Sequence, residues 1–303
     1  MQELIDPFDR LIVDNCPLSV VRDIERGGDW RPVWQAIVES GFLDALVPEE
    51  AGGFGLSLRD IAPLVAILGA RAVPLPVGET MIARALLAQA GIERPETPLV
   101  LATGNGAIPL GGLAGAIVSG PIDAPRLAVA DATTGMIPGT LDRMVPAHDE
   151  GLRAVAAVLR AMLIAGAAEA LLDTTVRYAS DRQQFGKPIS RQQAVQQQLA
   201  VLAQHAVAAR ISAAIGARGG IVPSLRDAAT AKIGAGTAAA QAAAIAHAVH
   251  GAIGISEEFD LQLLTRRLHA WRLADGSERY WAERLGAEAM ASGTRSALDF
   301  ALA

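Results

Sequence analysis

Residues 178–189 of the chain read YASDRQQFGKPI, and this stretch decides the fold. Before it, residues 152–182 form one Ala-rich, apolar pattern with helical spacing, which predicts a single long helix. After it, residues 192–218 repeat the pattern until Gly219 and Gly220 end it. The stretch therefore predicts a helix end at Arg182, a short loop, and a second helix antiparallel to the first.

Three further helices are predicted beyond this pair. Pro223 opens the first, which has Ser224 near its start and runs to about His250. A second runs over residues 258–272, and a third from about residue 277 to the end. Alanine is abundant on these helices and lets their backbones approach closely, so the pattern predicts an antiparallel bundle.

The chain before residue 149 divides into two parts of different character. Residues 1–96 show helical spacing of apolar residues with Gly- and Pro-rich turns between them. Residues 97–148 instead alternate short β-prone segments with Gly, Pro and Asp turns, which predicts a small sheet of hairpins. The predicted domains are an N-terminal helical domain (1–96), a reduced middle β domain (97–148) and a C-terminal helical bundle (149–303).

The composition restricts the class of function. Net charge is −6 and the isoelectric point about 5.4, which argues against a nucleic-acid or anionic-membrane surface. The richest apolar run, residues 154–172, contains Arg160 and Glu169, and so favours a buried helix over a membrane span. The single cysteine, Cys16, suits a reducing compartment, and no basic, apolar leader opens the sequence. We expect a cytoplasmic protein.

Three separated stretches resemble the acyl-CoA dehydrogenase family. Residues 178–189 are similar to the family signature Tyr-x-x-x-Arg-x-Gln-Phe-Gly-x-Pro-Ile. Residues 47–55, VPEEAGGFG, resemble its Pro-Glu-Glu-x-Gly-Gly turn. Residues 249–254, VHGAIG, resemble the Gly-Gly-x-Gly segment that leads to the catalytic loop.

The resemblance implies a mainly α fold with an N-terminal helical domain, a middle β domain and a C-terminal four-helix bundle. FAD lies between the β domain and the bundle in this family, and a neighbouring subunit completes its site. A carboxylate removes the α-proton of an acyl-CoA thioester while the β-hydride passes to the flavin. The electrons then leave to an electron-transfer flavoprotein, which is the expected redox partner.

The resemblance also assigns cofactor contacts. It implies that Arg182, Gln184 and Phe185, with Gln193 on the next helix, contact the FAD of a partner subunit. A guanidinium presents a rigid fork of donors that suits a pyrophosphate. The alternative for Arg182 is a solvated side chain that complements the helix dipole.

Two glycines are the remaining predicted cofactor contacts. Gly251 and Gly254 lack side chains, so a ligand can approach their backbone amides. The family usually has Gln at the place of Ala248 and Gly at the place of Ala252, and both departures fall on the predicted cofactor wall. The alternative for the glycines is an ordinary helix C-terminus.

Asp275 is the predicted catalytic base. Counted forward from Gly254, it stands at the place of the family's catalytic Glu, directly before Gly276. Aspartate is one methylene shorter, but nitroalkane oxidases of this family use Asp there. The other family position for the base holds Ala156, which cannot accept a proton. The alternative for Asp275 is a helix N-cap.

The middle region departs most from the family and leaves four functions open. It lacks the family's Trp-containing stretch that covers the flavin, since no Trp lies between Trp34 and Trp271. One reading is a subunit of a heteromeric dehydrogenase for bulky steroid acyl-CoA, in which two unlike chains share FAD. The others are a homo-oligomeric acyl-CoA dehydrogenase, a non-catalytic scaffold subunit, and an Asp-base flavin oxidase resembling nitroalkane oxidase.

Overall fold

The computed structural model describes residues 2–104, 106–129, 140–145, 150–294 and 296–302. Its α-helices are α1 (Gln2–Asn15), α2 (Leu18–Glu25), α3 (Arg31–Glu39), α4 (Leu58–Ala70), α5 (Val77–Gln89), α6 (Arg153–Asp181), α7 (Gln193–Ala217), α8 (Leu225–His250), α9 (Leu261–Leu273), α10 (Glu278–Ala291) and α11 (Ala297–Leu302). Its strands are β1 (Leu99–Leu101), β2 (Gly106–Ile108), β3 (Ala116–Ser119), β4 (Arg126–Val129), β5 (Arg143–Val145), β6 (Gln183–Gln184) and β7 (Lys187–Pro188). The predicted mainly α fold is confirmed.

The long helices begin and end where the sequence predicts. Ser224 caps the N-terminus of α8, because its side chain accepts a hydrogen bond from the amide of Asp227. Arg182 takes an extended conformation and ends α6, after which β6 and β7 form a two-residue hairpin that leads into α7. One prediction is wrong: the last helix is divided into α10 and α11, and Gly293 adopts a positive φ of 68° between them.

In its described residues the middle region has two small sheets, one of three strands with mixed pairing and one of two strands, and not a set of hairpins alone. β3 pairs antiparallel with β4, as a hairpin does, but it pairs parallel with β1. Parallel pairing needs a crossover connection, and residues 102–115 supply it. β2, inside that crossover, pairs antiparallel with β5. The hairpin prediction is wrong for β1 because period-two patterning does not specify a strand's neighbour.

The N-terminal helices and the bundle share one hydrophobic core. At the crossing of α4 with α6, a Cβ on Gly69 would lie 2.0 Å from the carbonyl oxygen of Leu163. A Cβ on Gly166 would lie 1.8 Å from the carbonyl oxygen of Ala66. The two helices therefore touch backbone to backbone, and only glycine fits at either position.

Helix α5 is buried on every side and carries Glu79 and Arg84 into the interior. Arg84 pairs with Asp44, with Nη2 2.7 Å from Oδ2. Thr80 ties the helix to β1: its hydroxyl donates to the carbonyl of Leu99 (3.1 Å) and accepts from the amide of the same residue (2.9 Å). These contacts fix α5 against the sheet and place Glu79 beside α6.

Among the residues that the structure describes, three helical stretches are long and apolar enough, by length and composition, to span a membrane: α6, α7 and residues 225–255. The most apolar part of α6 is 83% buried inside the protein, so its apolar surface is already covered. The corresponding part of α7 is only 28% buried, which leaves apolar surface for contact with another polypeptide. The absence of a membrane contact stays a prediction.

Candidate functional site

Asp275 lies in the turn between α9 and α10 and points into the protein. It has a positive φ of 56°, which is uncommon for a residue with a side chain, and Gly276 follows with a φ of 99°. The side chain of Asp275 is only 3% exposed. Ser277 is the residue that caps α10, by accepting from the amide of Tyr280 (3.5 Å). The alternative reading of Asp275 as a helix N-cap is therefore wrong.

A buried guanidinium links Asp275 to a second carboxylate. Nε of Arg160, on α6, lies 2.8 Å from Oδ2 of Asp275, and its Nη1 donates to Oε1 of Glu79 on α5. The side chains of Arg160 and Glu79 are 2% and 4% exposed. Burial alone would lower the pKa of Arg160, but the two carboxylates raise it above its usual value. The guanidinium therefore stays charged, and the three side chains form one ion-paired unit.

The second carboxylate oxygen of Asp275 is also engaged. The hydroxyl of Thr103, just after β1, donates to Oδ1 at 2.5 Å. Nε1 of Trp281 donates to the main-chain carbonyl of Asp275 at 3.1 Å, which fixes the backbone of the turn. Each carboxylate oxygen thus accepts one side-chain hydrogen bond and keeps a further lone pair.

A cavity of about 550 Å³ lies beside this turn. Its lining is mixed: Leu101 and Trp271 are among the apolar residues of the wall, and polar or charged groups come from Thr103, Asp142, Arg153, Arg267 and Asp275. Cavities that hold cofactors and substrates are about 300–1,000 Å³ and combine an apolar wall with a few polar groups. The arrangement fits a bound acyl group or flavin ring next to a carboxylate.

The predicted cofactor residues around Arg182 lie at the other end of α6. Arg160 and Asp181 are 21 residues apart on this helix, which is roughly 30 Å at 1.5 Å per residue. Arg182, Gln184 and Phe185 lie on or beside the β6–β7 hairpin and are exposed, Phe185 by 93%. They do not line the cavity beside Asp275.

The Gly251 turn lies at the same end as the hairpin. The ring of Tyr178, near the end of α6, stacks on His250 at 4.3 Å, and its hydroxyl donates to the His250 carbonyl at 3.3 Å. Gly251 is exposed with a φ of 64°, and a Cβ there would meet nothing within 4 Å. Gly254 is buried, and its Cβ would lie 3.0 Å from both His250 and Leu261. Gly251 is therefore open to a ligand, whereas Gly254 serves packing.

Gln193, the first residue of α7, is exposed and follows the hairpin in the chain. The structure thus brings Arg182, Gln184, Phe185 and Gly251 to one end of the bundle and places Asp275 at the other. This set of hydrogen-bond donors fits a pyrophosphate and its nucleotide: it consists of the guanidinium of Arg182, the side-chain amide of Gln184 and the accessible main chain at Gly251. These residues fit the nucleotide half of FAD, and the cavity beside Asp275 has the size for a flavin ring.

Sequence reasoning missed Glu79, Thr103 and Lys232, and treated Arg160 only as an interruption of an apolar run. Glu79 lies in an apolar stretch, VGETMIA, where a charge needs a buried partner. That signal shows that a partner exists without showing which one. Arg160 is 81 residues from Glu79 and 115 from Asp275 in the chain, so no local motif connects them.

Comparisons with known proteins identify the family. Residues 153–290 match the family model described as acyl-CoA dehydrogenase, C-terminal domain. The chain is 34% identical over 292 residues to acyl-CoA dehydrogenase IpdE2 of Mycobacterium tuberculosis, with 87% of this chain and 88% of that protein covered. The fold is similar to a chain of the ChsE4-ChsE5 complex from Mycobacterium tuberculosis, with a TM-score of 0.82, 20% identity, and 97% and 98% of the two chains covered. It is also similar to a Tcur3481-Tcur3483 steroid ACAD variant, with a TM-score of 0.81, 22% identity, and 97% and 98% covered. The chain therefore belongs to the acyl-CoA dehydrogenase family.

Proposed function

We propose that the chain is one subunit of an FAD-dependent acyl-CoA dehydrogenase that works with a second, unlike dehydrogenase subunit. Its substrate class would be a bulky acyl-CoA thioester such as a steroid-derived one, and an electron-transfer flavoprotein would accept the electrons. The names of the similar complex and steroid dehydrogenase support this assignment, as does the small middle sheet. A homo-oligomer is the competing assembly.

One observation carries the proposal: the cofactor residues and Asp275 occupy opposite ends of α6. About 30 Å separates the two ends, and the Arg182 hairpin is exposed and lines none of the cavity beside Asp275. Arg182 therefore contributes to a flavin that lies mainly in a neighbouring chain, while Asp275 belongs to the site of its own chain. Each active site then takes residues from two subunits.

In this reaction FAD would supply the acceptor for the β-hydride of the substrate. Asp275 would take the α-proton on Oδ1, the oxygen that the hydroxyl of Thr103 occupies at 2.5 Å. Arg160 holds Oδ2 at 2.8 Å and so fixes the direction in which Oδ1 points. Oδ1 accepts one hydrogen bond from Thr103 and keeps a second lone pair for the proton.

A second function is favoured by a specific observation. The Asp275 side chain is 3% exposed, and both of its carboxylate oxygens are engaged. A carboxylate held in this way can be a structural element of the turn. The chain would then be a non-catalytic subunit that completes the flavin site of its partner through Arg182, and the partner would carry the base.

The first test measures flavin content. Purified alone, the chain is expected to be colourless, and the complex co-expressed with its unlike subunit is expected to be yellow. Arg182→Met should lower the flavin content of that complex, whereas Arg191→Met, an exposed arginine in the same region, should leave it unchanged. A yellow, stoichiometric flavoprotein from the chain alone would overturn the requirement for an unlike subunit.

The second test separates the two functions of Asp275. In the flavin-loaded complex, Asp275→Asn should retain the flavin but lose its bleaching by an acyl-CoA thioester in stopped-flow absorbance. Asp142→Asn is the matched control, because this carboxylate lines the same cavity yet accepts a main-chain amide at 3.0 Å. Unchanged bleaching in Asp275→Asn would assign the base to the partner subunit.

A further inference from the structure

Lys232 is fully buried on α8 and ends beside the turn that carries Asp275. Its Nζ donates to the carbonyl of Arg272 at 2.6 Å and to the carbonyl of Gly276 at 2.7 Å. These two carbonyls flank Asp275, one before it and one after it. A lysine is almost never fully buried without partners for its ammonium group, so the position points to a specific use.

The turn needs outside support. Asp275 holds a left-handed φ of 56° at a residue that has a side chain, and such conformations persist only where the surroundings impose them. Gly276, with a φ of 99°, is packed so closely that a Cβ would lie 2.5 Å from the ring of Tyr280. The last carbonyls of α9 also have no partners within the helix. Lys232 satisfies the carbonyl of Arg272, near that helix end.

We propose that Lys232 is a positioning residue that holds the Asp275 turn in its left-handed conformation by bridging the carbonyls on either side of it. Together with Trp281, which donates to the carbonyl of Asp275 itself at 3.1 Å, it fixes three main-chain carbonyls within five residues. The side chain of Asp275 is thereby aimed at Arg160 and Thr103. The link to catalysis rests on the proposed role of Asp275, whereas the link to the turn does not.

The charges around Lys232 come from three helices and the turn, whereas α7 packs here through Gly216 and Ser212, which are not titratable. Arg160 faces it from α6, Arg272 from α9, Glu278 from α10, and Asp275 from the turn. Burial is the largest influence and lowers the pKa of Lys232 to about 8; Asp275 and Glu278 oppose this effect, and the two arginines add to it. The ammonium form gives charge-assisted hydrogen bonds, which are stronger than those of the neutral amine. The hold on the turn should therefore weaken as pH rises through about 8.

The chain offers a matched control. Lys187 and Lys232 are its only lysines, and Lys187 lies exposed on β7. Protein labelled with ¹³C-lysine should give two side-chain signals, and that of Lys232 should titrate with a midpoint near pH 8. Lys232→Met should remove this signal only. A Lys232 signal with the motional averaging of a solvent-exposed, freely rotating side chain would overturn the proposal, because an ammonium that bridges two carbonyls is immobilised.

The closing experiment observes the turn itself. The indole N–H signal of Trp281, assigned with Trp281→Phe in ¹⁵N-tryptophan-labelled protein, should move with a midpoint near pH 8 in the wild type and in Lys187→Met. In Lys232→Met the same signal should be displaced and should no longer respond around that pH. Amide exchange of residues 272–281 should be at least tenfold faster in Lys232→Met, and unchanged in Lys187→Met. A folded Lys232→Met with wild-type exchange and an unmoved Trp281 signal would overturn the proposal.

Two features keep the outcome decisive. If Lys232→Met does not fold, the titrations of the wild-type lysine and of Trp281 still decide, because a Trp281 signal that ignores the ionisation of Lys232 contradicts the proposal. None of these measurements needs flavin, substrate or a partner subunit. A failure of the proposed dehydrogenase function would therefore appear as missing flavin reduction with the turn still dependent on Lys232.

Discussion

Removal of the buried guanidinium of Arg160 should be one of the most destabilising single substitutions in the chain. Arg160→Met keeps the length and the helix propensity of the side chain in α6, but it leaves the carboxylates of Glu79 and Asp275 buried without a cation. The three side chains are 2–4% exposed. Breaking a buried ion pair by removing one partner costs about 3–5 kcal/mol, and Arg160 serves two carboxylates, so we expect a loss at the upper end of that range.

The assay is urea unfolding followed by far-UV circular dichroism, with the free energy of unfolding compared at pH 7. Arg210→Met is the matched control, because Arg210 on α7 pairs with Glu169 on α6 at 3.1 Å with side chains 63% and 47% exposed. An exposed pair of this kind contributes about 0–1 kcal/mol. The two arginines thus differ mainly in burial.

A charge-free variant tests the reason for the loss. When Glu79→Gln and Asp275→Asn are added to Arg160→Met, neither of the two former partners of Arg160 carries a charge, and part of the free energy of unfolding should return. If Arg160→Met loses no more than Arg210→Met, the buried unit contributes nothing to stability. If the triple variant is less stable than Arg160→Met alone, uncompensated charge is not the cause of the loss.

Two further substitutions test packing and charge elsewhere. Gly166→Ala should cost at least about 1–3 kcal/mol of unfolding free energy, because its Cβ would lie 1.8 Å from the carbonyl oxygen of Ala66. The control, Gly286→Ala, is at an exposed helix position with nothing within 4 Å and should gain about 0.5–1 kcal/mol in the same denaturation assay. Equal effects of the two substitutions would contradict the contact between α4 and α6. Burial raises the pKa of Glu25, but its ion pairs with Arg267 and Arg266 lower it by more. The pKa of Glu25 is therefore below its usual value of 4.5. The stabilisation from Glu25 should therefore be present above pH 4.5 and disappear as pH falls through its lowered pKa. Glu25→Gln should be less stable than the wild type at pH 7 in urea titrations, by a difference that shrinks as the pH is lowered below 4.5; a difference that does not change with pH would refute this.

The sequence predicts the bundle well because its signals are local. The Ala-rich patterns place α6, α7 and α8 within two residues of their observed bounds, and Ser224 serves as the cap that its position beside Pro223 suggests. Such signals come from helical periodicity and from capping chemistry, both of which act within a few residues. Pairing of β1 with β3 has no local signal, and a sheet of hairpins was the wrong expectation there.

In the candidate site, too, the residues with a local sequence signal were predicted and those that depend on long-range packing were not. Asp275 and Arg182 are found by similarity of short motifs, and the roles of these residues stay predictions. Glu79, Arg160 and Lys232 form or support the surroundings of Asp275, yet each comes from a different helix, far away in the chain. What surrounds a carboxylate depends on which helices pack together, and periodicity gives only the face that each helix buries.

The length of α6 has a consequence for genetics. If the chain assembles with copies of itself, one copy with Asp275→Asn and another with Arg182→Met form two sites, of which one carries both lesions and the other carries none. Two inactive alleles would then complement each other, up to about half of the full activity. In an assembly of unlike subunits the two lesions damage different sites, and mixing the alleles creates no intact site that was absent before. Growth or turnover measured after co-expression of the two mutant genes would thus show whether each active site is shared between identical or unlike subunits.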